Sequence, residues 1–150
     1  MVGVIAFTVP GQPQGKGRPR IGRDGPHARM FTPQKTVAYE GLIARAAHQV
    51  MAGRPMLDDA VAVTLALHCQ VPASWSGKKQ RLALAGEVMP TTKPDADNVV
   101  KAVFDGLNGV LWRDDVQVVD LQVRKRYSAT PCVYIEVTPI VEVQQLEVAA

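Results

Sequence analysis

Between residues 60 and 71 the chain alternates without a break: Val61, Val63, Leu65, Leu67, Cys69 and Val71 interleave with Ala62, Thr64, Ala66, His68 and Gln70. Successive side chains of a strand point to opposite faces, so this pattern buries one face and leaves the other polar; a helix would scatter the same residues around its axis. The fold must therefore contain a sheet with this long strand in it and apolar elements laid on one side. A chain of 150 residues has room for one compact domain built that way. No run approaches the roughly 20 apolar residues that cross a bilayer, and the amino terminus lacks the layout of a secretory signal. Two cysteines, Cys69 and Cys132, make neither a disulfide framework nor a CxxC metal pair. Both lie in apolar runs and read as buried free thiols. A cytoplasmic protein that stays out of membranes fits these features.

The other elements are predicted from periodicity and punctuation. Residues 4–9 form a β-prone run ended by Pro10-Gly11. From residue 11 to 31 glycine, proline and arginine dominate and no apolar period survives, which predicts a loop long enough to be functional. Thr32-Pro33 gives an N-cap and a proline at the first helical position. Val37, Leu42, Ile43, Ala46, Ala47 and Val50 continue at helical spacing until Gly53-Arg54-Pro55. Residues 76–85 read as a short basic helix. A third helix starts near Asp97, with Val100, Val103, Phe104 and Leu107 as its apolar face and Asn108-Gly109 as its left-handed stop. Residues 116–124 and 132–137 read as strands joined by a turn at 128–131, and the tail 141–150 has no decisive pattern. Without a repeat or linker, this order predicts a single α+β domain over residues 1–150, with helices packed on a small mixed sheet.

Charge is distributed unevenly. Residues 1–55 carry eight Lys and Arg against two acids, Asp24 and Glu40, while residues 56–150 carry nine bases against twelve acids. The basic excess is densest in Lys16, Arg18, Arg20 and Arg23, with Arg29 just beyond, and the acids concentrate between Glu87 and Asp120. A basic glycine-rich segment beside a separate acidic cluster suggests a polyanion grip next to a cation site; a solvated loop and an unrelated polar face would look the same.

The acidic cluster is the more informative half. Asp95 and Asp97 follow Pro94 two residues apart, and in extended backbone both side chains would point the same way. Paired carboxylates repel and favour either a shared proton or a bound cation; hard oxygen ligands at this spacing suit Mg²⁺ or Mn²⁺ rather than zinc. Helix capping would account for one of the two acids. Lys101 lies one helical turn from Asp97, either as an exposed ion pair or facing the same phosphate as the metal. Asp105, a turn further, reads as a structural partner of Lys101 or a helix-end acid. Asp114 and Asp115 follow the helix stop, either as a polar turn or as the acids that complete a hard-metal site.

Other motifs fail. Gly15-Lys16 is P-loop-like, but the preceding glycine is one residue too close and Gly17 replaces the Ser/Thr that would bind Mg²⁺. His27, His48 and His68 lack metal spacing, and no serine or cysteine sits in a nucleophile elbow.

Taken together, the chain resembles the RusA-type Holliday junction resolvases, endonucleases often carried by prophages. The resemblance covers the leading strand, Lys16-Gly17-Arg18-Pro19-Arg20, and Phe31-Thr32-Pro33-x-Lys35-Thr36-x-x-Tyr39-Glu40. It also covers Pro94-Asp95-x-Asp97-Asn98-x-x-Lys101-x-x-x-Asp105-x-Leu107 and Trp112-x-Asp114-Asp115-x-Gln117-Val118, and these last two blocks in this order are specific. It implies a homodimeric α+β enzyme of DNA recombination and repair that makes paired, symmetric nicks in four-way junctions with Mg²⁺, for which Mn²⁺ substitutes. The family's essential acids and lysine carry over onto Asp95, Asp97, Asp115 and Lys101, with Asp114 matching a neighbouring acid. The basic loop resembles that of the phage-borne branch of the family. Lys16, Arg18, Arg20, Arg23 and Arg29 would then contact DNA phosphates, giving salt-dependent affinity with little sequence information; Lys78, Lys79 and Arg81 are the other basic group. Two different functions fit the same residues less fully: a junction-binding module without catalysis, and a metal-dependent nucleotide phosphohydrolase, for which the basic loop is larger than needed.

Overall fold

The computed structural model describes residues 3–17 and 20–141. Along the chain run β1 (Ile5–Pro10), β2 (Arg20–Asp24), β3 (His27–Phe31), α1 (Gln34–Met51), β4 (Ala60–Gln70), α2 (Gly77–Leu84), α3 (Ala96–Leu107), a 3-10 turn (Asp115–Gln117), β5 (Val118–Ser128) and β6 (Cys132–Ile140). Four strands make one mixed sheet in the order β1-β6-β4-β5, with β4 parallel to β5 and antiparallel to β6. This is the expected α+β domain with helices on a mixed sheet.

β4 behaves as its alternation demands: Val61, Val63, Leu65, Leu67 and Cys69 are buried, while Ala62, Thr64, Ala66 and His68 are half-buried on the other face. The buried row joins Val9, Val133, Ile135 and Val137 from the flanking strands, Ile43 and Ala47 from α1, and Val99, Val103 and Leu107 from α3 in one core. Each of the Val, Leu and Ile side chains contributes roughly 1.5–3 kcal/mol by leaving water. Trp112, fully buried, closes the end of that core edge-on to Phe104, ring centroids 5.5 Å apart. The two core helices approach closely at Gly106, where an added Cβ would stand 2.8 Å from Ile43.

Three local expectations change. Residues 20–31 of the anticipated loop form a β-hairpin, β2 with β3, turning on Gly25 at φ 64° and Pro26. A glycine at the first position of a two-residue hairpin loop supplies the positive φ such a turn needs. The strands escaped the period rule because neither face enters the core: Ile21 and Met30, opposite one another, are both exposed. At α1, Pro33 itself is the N-cap, and its carbonyl accepts from the N–H groups of Thr36 and Val37. The helix ends one residue earlier than its Gly53 signal, with Ala52 in the left-handed region and the Arg54 guanidinium donating to the carbonyls of Met51 and Val50. β5 runs to Ser128 rather than 124, because its parallel register with β4 continues through Arg124, Lys125 and Arg126. Residues 142–150 of the tail lie outside the described residues. Among those described, no helix is long and apolar enough to cross a membrane.

Candidate active site

Pro94 leads into α3, with Asp95 at the N-cap in extended backbone (φ −69°, ψ 137°). Its carboxylate makes no capping bond and instead accepts from Asn98 Nδ2 at 3.4 Å. Capping therefore does not consume this acid. The helix begins at Ala96, so the backbone between Asp95 and Asp97 is no longer extended and the two side chains diverge. Asp97 lines a cleft of about 740 Å³, while Asp95 lines an adjoining cavity of about 750 Å³ with Lys93, Asn98 and Gln12. α3 is also rotated from its expected setting. Val99, Ala102, Val103, Gly106 and Leu107 form its buried face, and Val100 and Phe104 turn partly outward as walls of the cleft. Gly106 on the buried face lets α1 sit close, at Ile43 and the Glu40 carbonyl.

The cleft gathers Asp97, Lys101, Asp105, Asp115 and Lys16 above the apolar side chains of Val100, Phe104, Leu121 and Val123. Asp115 reaches it from the 3-10 turn. Asn108 Nδ2 donates to Asp115 Oδ2 at 3.4 Å, and Asn108 Oδ1 accepts from the Trp112 indole at 2.6 Å. Gln117 fixes the same turn: its Oε1 accepts from the backbone N–H groups of Arg113 and Asp114, and its Nε2 donates to the carbonyls of Leu57 (2.8 Å) and Asp59 (3.0 Å). Neither amide carries a functional signal in the sequence, where Asn108 reads only as a helix stop. Asp114 is exposed and does not line the cleft.

Lys16 has a different environment from the one expected of a phosphate contact. It pairs with Asp105 and lies 3.6 Å from Glu40 Oε1. The hydrogen bond to Asp105 raises its ammonium above the usual lysine range, against an opposing pull from partial burial. Asp105 is thus the partner of Lys16, not of Lys101. Among the described residues Lys101 makes no ion pair and stands exposed on the cleft. The backbone around Lys16 is clasped between helices: Lys16 N–H donates to Asn98 O at 3.0 Å and Gly17 N–H to Thr36 Oγ1 at 2.8 Å. Of the arginines, Arg18 lies outside the described residues. Arg20 starts β2, and its side chain too is outside them, whereas Arg23 and Arg29 are exposed on the hairpin.

The donor set suits a hard divalent ion. Among the described residues no three His, Cys, Asp or Glu side chains form a ready metal cage. Mg²⁺ does not need one: it is commonly held by one or two carboxylates, several waters and substrate phosphate oxygens. Asp97 and Asp115 on one cleft, beside a lysine with no acid partner, meet that description.

Comparison with known proteins agrees with this chemistry. The family model described as "Endodeoxyribonuclease RusA" matches residues 10–138. A protein of Bacillus subtilis (strain 168), described as "Uncharacterized protein YqaN", is 38% identical over 140 residues, covering 91% of this chain and 96% of that protein.

Proposed function

The chain belongs to the RusA endodeoxyribonuclease family, and from that premise we propose that it resolves four-way DNA junctions in recombination and repair by paired, symmetric, Mg²⁺-dependent nicks, with Mn²⁺ as a working substitute. The observation that carries the reading is the meeting of Asp97, Lys101 and Asp115 on one cleft at the start of α3.

Asp97 and Asp115 are the residues to hold the ion, with Asp95 acting through water from the adjoining cavity. When bound, a divalent ion supplies a more acidic water and neutralises charge on the attacked phosphate. Lys101, without an acid partner, presents its ammonium to a phosphate oxygen, where it stabilises the charge that grows in the transition state. Asn108 keeps the Asp115 carboxylate turned toward the cleft. Arg23 and Arg29 of the exposed hairpin, together with Arg18 and Arg20, grip phosphates, an assignment checked by the salt slope of junction binding. Lys16 is assigned to anchoring that segment on Asp105 rather than to DNA. A junction presents equivalent strands about a two-fold axis, so a C2 homodimer places one cleft at each scissile bond.

The test is cleavage of a labelled mobile four-way junction, with matched duplex as control, in Mg²⁺, Mn²⁺ and EDTA. Paired nicks that require metal and spare the duplex are expected. Asp97→Asn should lose about 10²-fold or more in rate while still binding the junction. Wild-type rates from Asp97→Asn at saturating Mg²⁺ would overturn the metal-site assignment, uncoupled single nicks would count against the dimer, and tight binding without cleavage in either metal would leave a non-catalytic module.

A further inference from the structure

β5 floors more than the acidic cleft. Leu121 and Val123 line that cleft, and Tyr127, further along the same odd-numbered face, lines a separate cavity of about 390 Å³. Shared walls join them. Lys16 borders both the acidic cleft and the cavity holding Asp95; Gln12 and Lys93 border both that cavity and the one at Tyr127. The three adjoin as one groove whose two ends rest on β5, at Leu121 and at Tyr127, about 20 Å apart along extended strand, and whose middle is lined instead by Gln12, Lys16, Lys93 and Asp95.

The far end of this groove is built differently from the near end. Tyr127 is half-buried and braced edge-on by Trp75, ring centroids 5.3 Å apart, and Lys79 Nζ lies 3.9 Å over the Trp75 ring. Lys125 donates to the carbonyl of Thr92, holding the segment before Pro94 against the strand. Lys93 is exposed on the wall, and no acid lines this end among the described residues.

We infer that the groove carries a single DNA strand and that Tyr127 is a stacking platform for an unpaired base several nucleotides away from the phosphate at Asp97, Lys101 and Asp115. The inference rests on the nuclease reading for the place of that phosphate. A base within a duplex has both faces covered, so an aromatic ring at a groove end lined by a lysine and by no acid among the described residues is matched to a base whose stacking is interrupted, as at a branch point. Every base offers such a face, so the contact selects for branched structure rather than sequence.

The experiment is binding in EDTA, followed by fluorescence anisotropy, of labelled oligothymidylate, four-way junction and linear duplex to the wild type, Tyr127→Ala and Tyr127→Phe. Tyr127→Ala should weaken oligothymidylate and junction binding by about 5- to 100-fold and duplex binding by less than about twofold, while Tyr127→Phe, which keeps the ring, binds as the wild type does. Saturation of the wild type with oligothymidylate should also change Trp75 emission, assigned by its loss in Trp75→Phe because Trp112 is buried. A folded Tyr127→Ala protein that binds all three probes normally overturns the inference; should that variant not fold, unchanged Trp75 emission overturns it instead. The two readings fail separately. A wild type that cleaves nothing yet needs Tyr127 for oligothymidylate loses the nuclease and keeps the groove, whereas junction cleavage with no dependence of binding on Tyr127 does the reverse.

Discussion

Asn108 shows how much of the cleft depends on groups that carry no charge. One amide serves two neighbours: Oδ1 accepts from the buried Trp112 indole, and Nδ2 donates to Asp115. Removing it has two separable consequences. Asn108→Ala leaves the indole N–H buried without an acceptor, which should cost about 1–3 kcal/mol in urea unfolding. It also releases Asp115, and if Asp115 holds the ion as proposed, loss of the group that orients it should weaken metal binding by about 10–100-fold. The half-saturating Mg²⁺ for junction cleavage should therefore rise by that factor in Asn108→Ala. An unchanged Mg²⁺ requirement in a folded variant would mean that Asp115 holds its place without this amide. The acids stand out as candidates in the sequence because few structural roles require two aspartates flanking one residue and a third after the next turn. Asn108 does not, since a helix stop and a carboxylate holder draw on the same side chain.

Among the elements, burial was one source of legibility and punctuation another: α2, which adds nothing to the core cluster, was still marked by Ser76 at its N-cap. β4 and α1 announce themselves because burial enforces their periods, whereas β2 and β3 keep only the glycine of their turn as a signal. α3 lies between these cases. Its extent was clear, but two apolar rows compete on it, and the row that wins contains Ala102 and Gly106, which carry little hydrophobic weight. The packing against α1 explains the choice and supplies a test. Replacing glycine by alanine within a helix ordinarily gains about 1 kcal/mol. At Gly106 the new methyl would stand 2.8 Å from Ile43 Cβ and Cγ2 and 3.0 Å from the Glu40 carbonyl. Overpacking costs typically about 1–3 kcal/mol, and a backbone carbonyl cannot rotate away, so the clash outweighs the propensity. Gly106→Ala should thus be destabilised overall, by about 1 kcal/mol or more in urea unfolding. A stabilised variant would show that α1 and α3 separate easily, and the outward setting of Val100 and Phe104 would then need another cause.

Over the whole molecule, the mixed α+β class followed from element order, but the strand order did not. Nothing local tells β6 to enter between β1 and β4, or β5 to run parallel to β4 at the edge, because non-local pairing is decided by how all the faces are covered together. The result leaves β5 with no fully buried residue and so opens the groove beside α3. Opposite that edge, the structure closes tightly over Tyr39 of α1, which is 3% exposed. Burial pushes its phenol up to about 12 from an ordinary 10.0, against a smaller opposing pull from the Gln14 backbone. Between these two values the unfolded chain gives up the Tyr39 proton and the folded chain keeps it. The unfolded state then binds fewer protons, so stability falls as pH rises. Below pH 10 both states hold the proton and the residue adds no slope. Across the window the loss should approach about 3 kcal/mol. Lys16 adds a fall of the same sign, since its ion pair with Asp105 is lost as pH rises through its raised value. Tyr39→Phe separates the two: urea unfolding from pH 9 to 11.5 should decline more steeply in the wild type than in the variant, whose residual slope belongs to Lys16 and to the Cys69 and Cys132 thiols, which burial pushes up. Parallel curves would show that the Tyr39 phenol ionises in the folded protein as freely as in water, and hence that the packing of α1 opens to solvent without global unfolding.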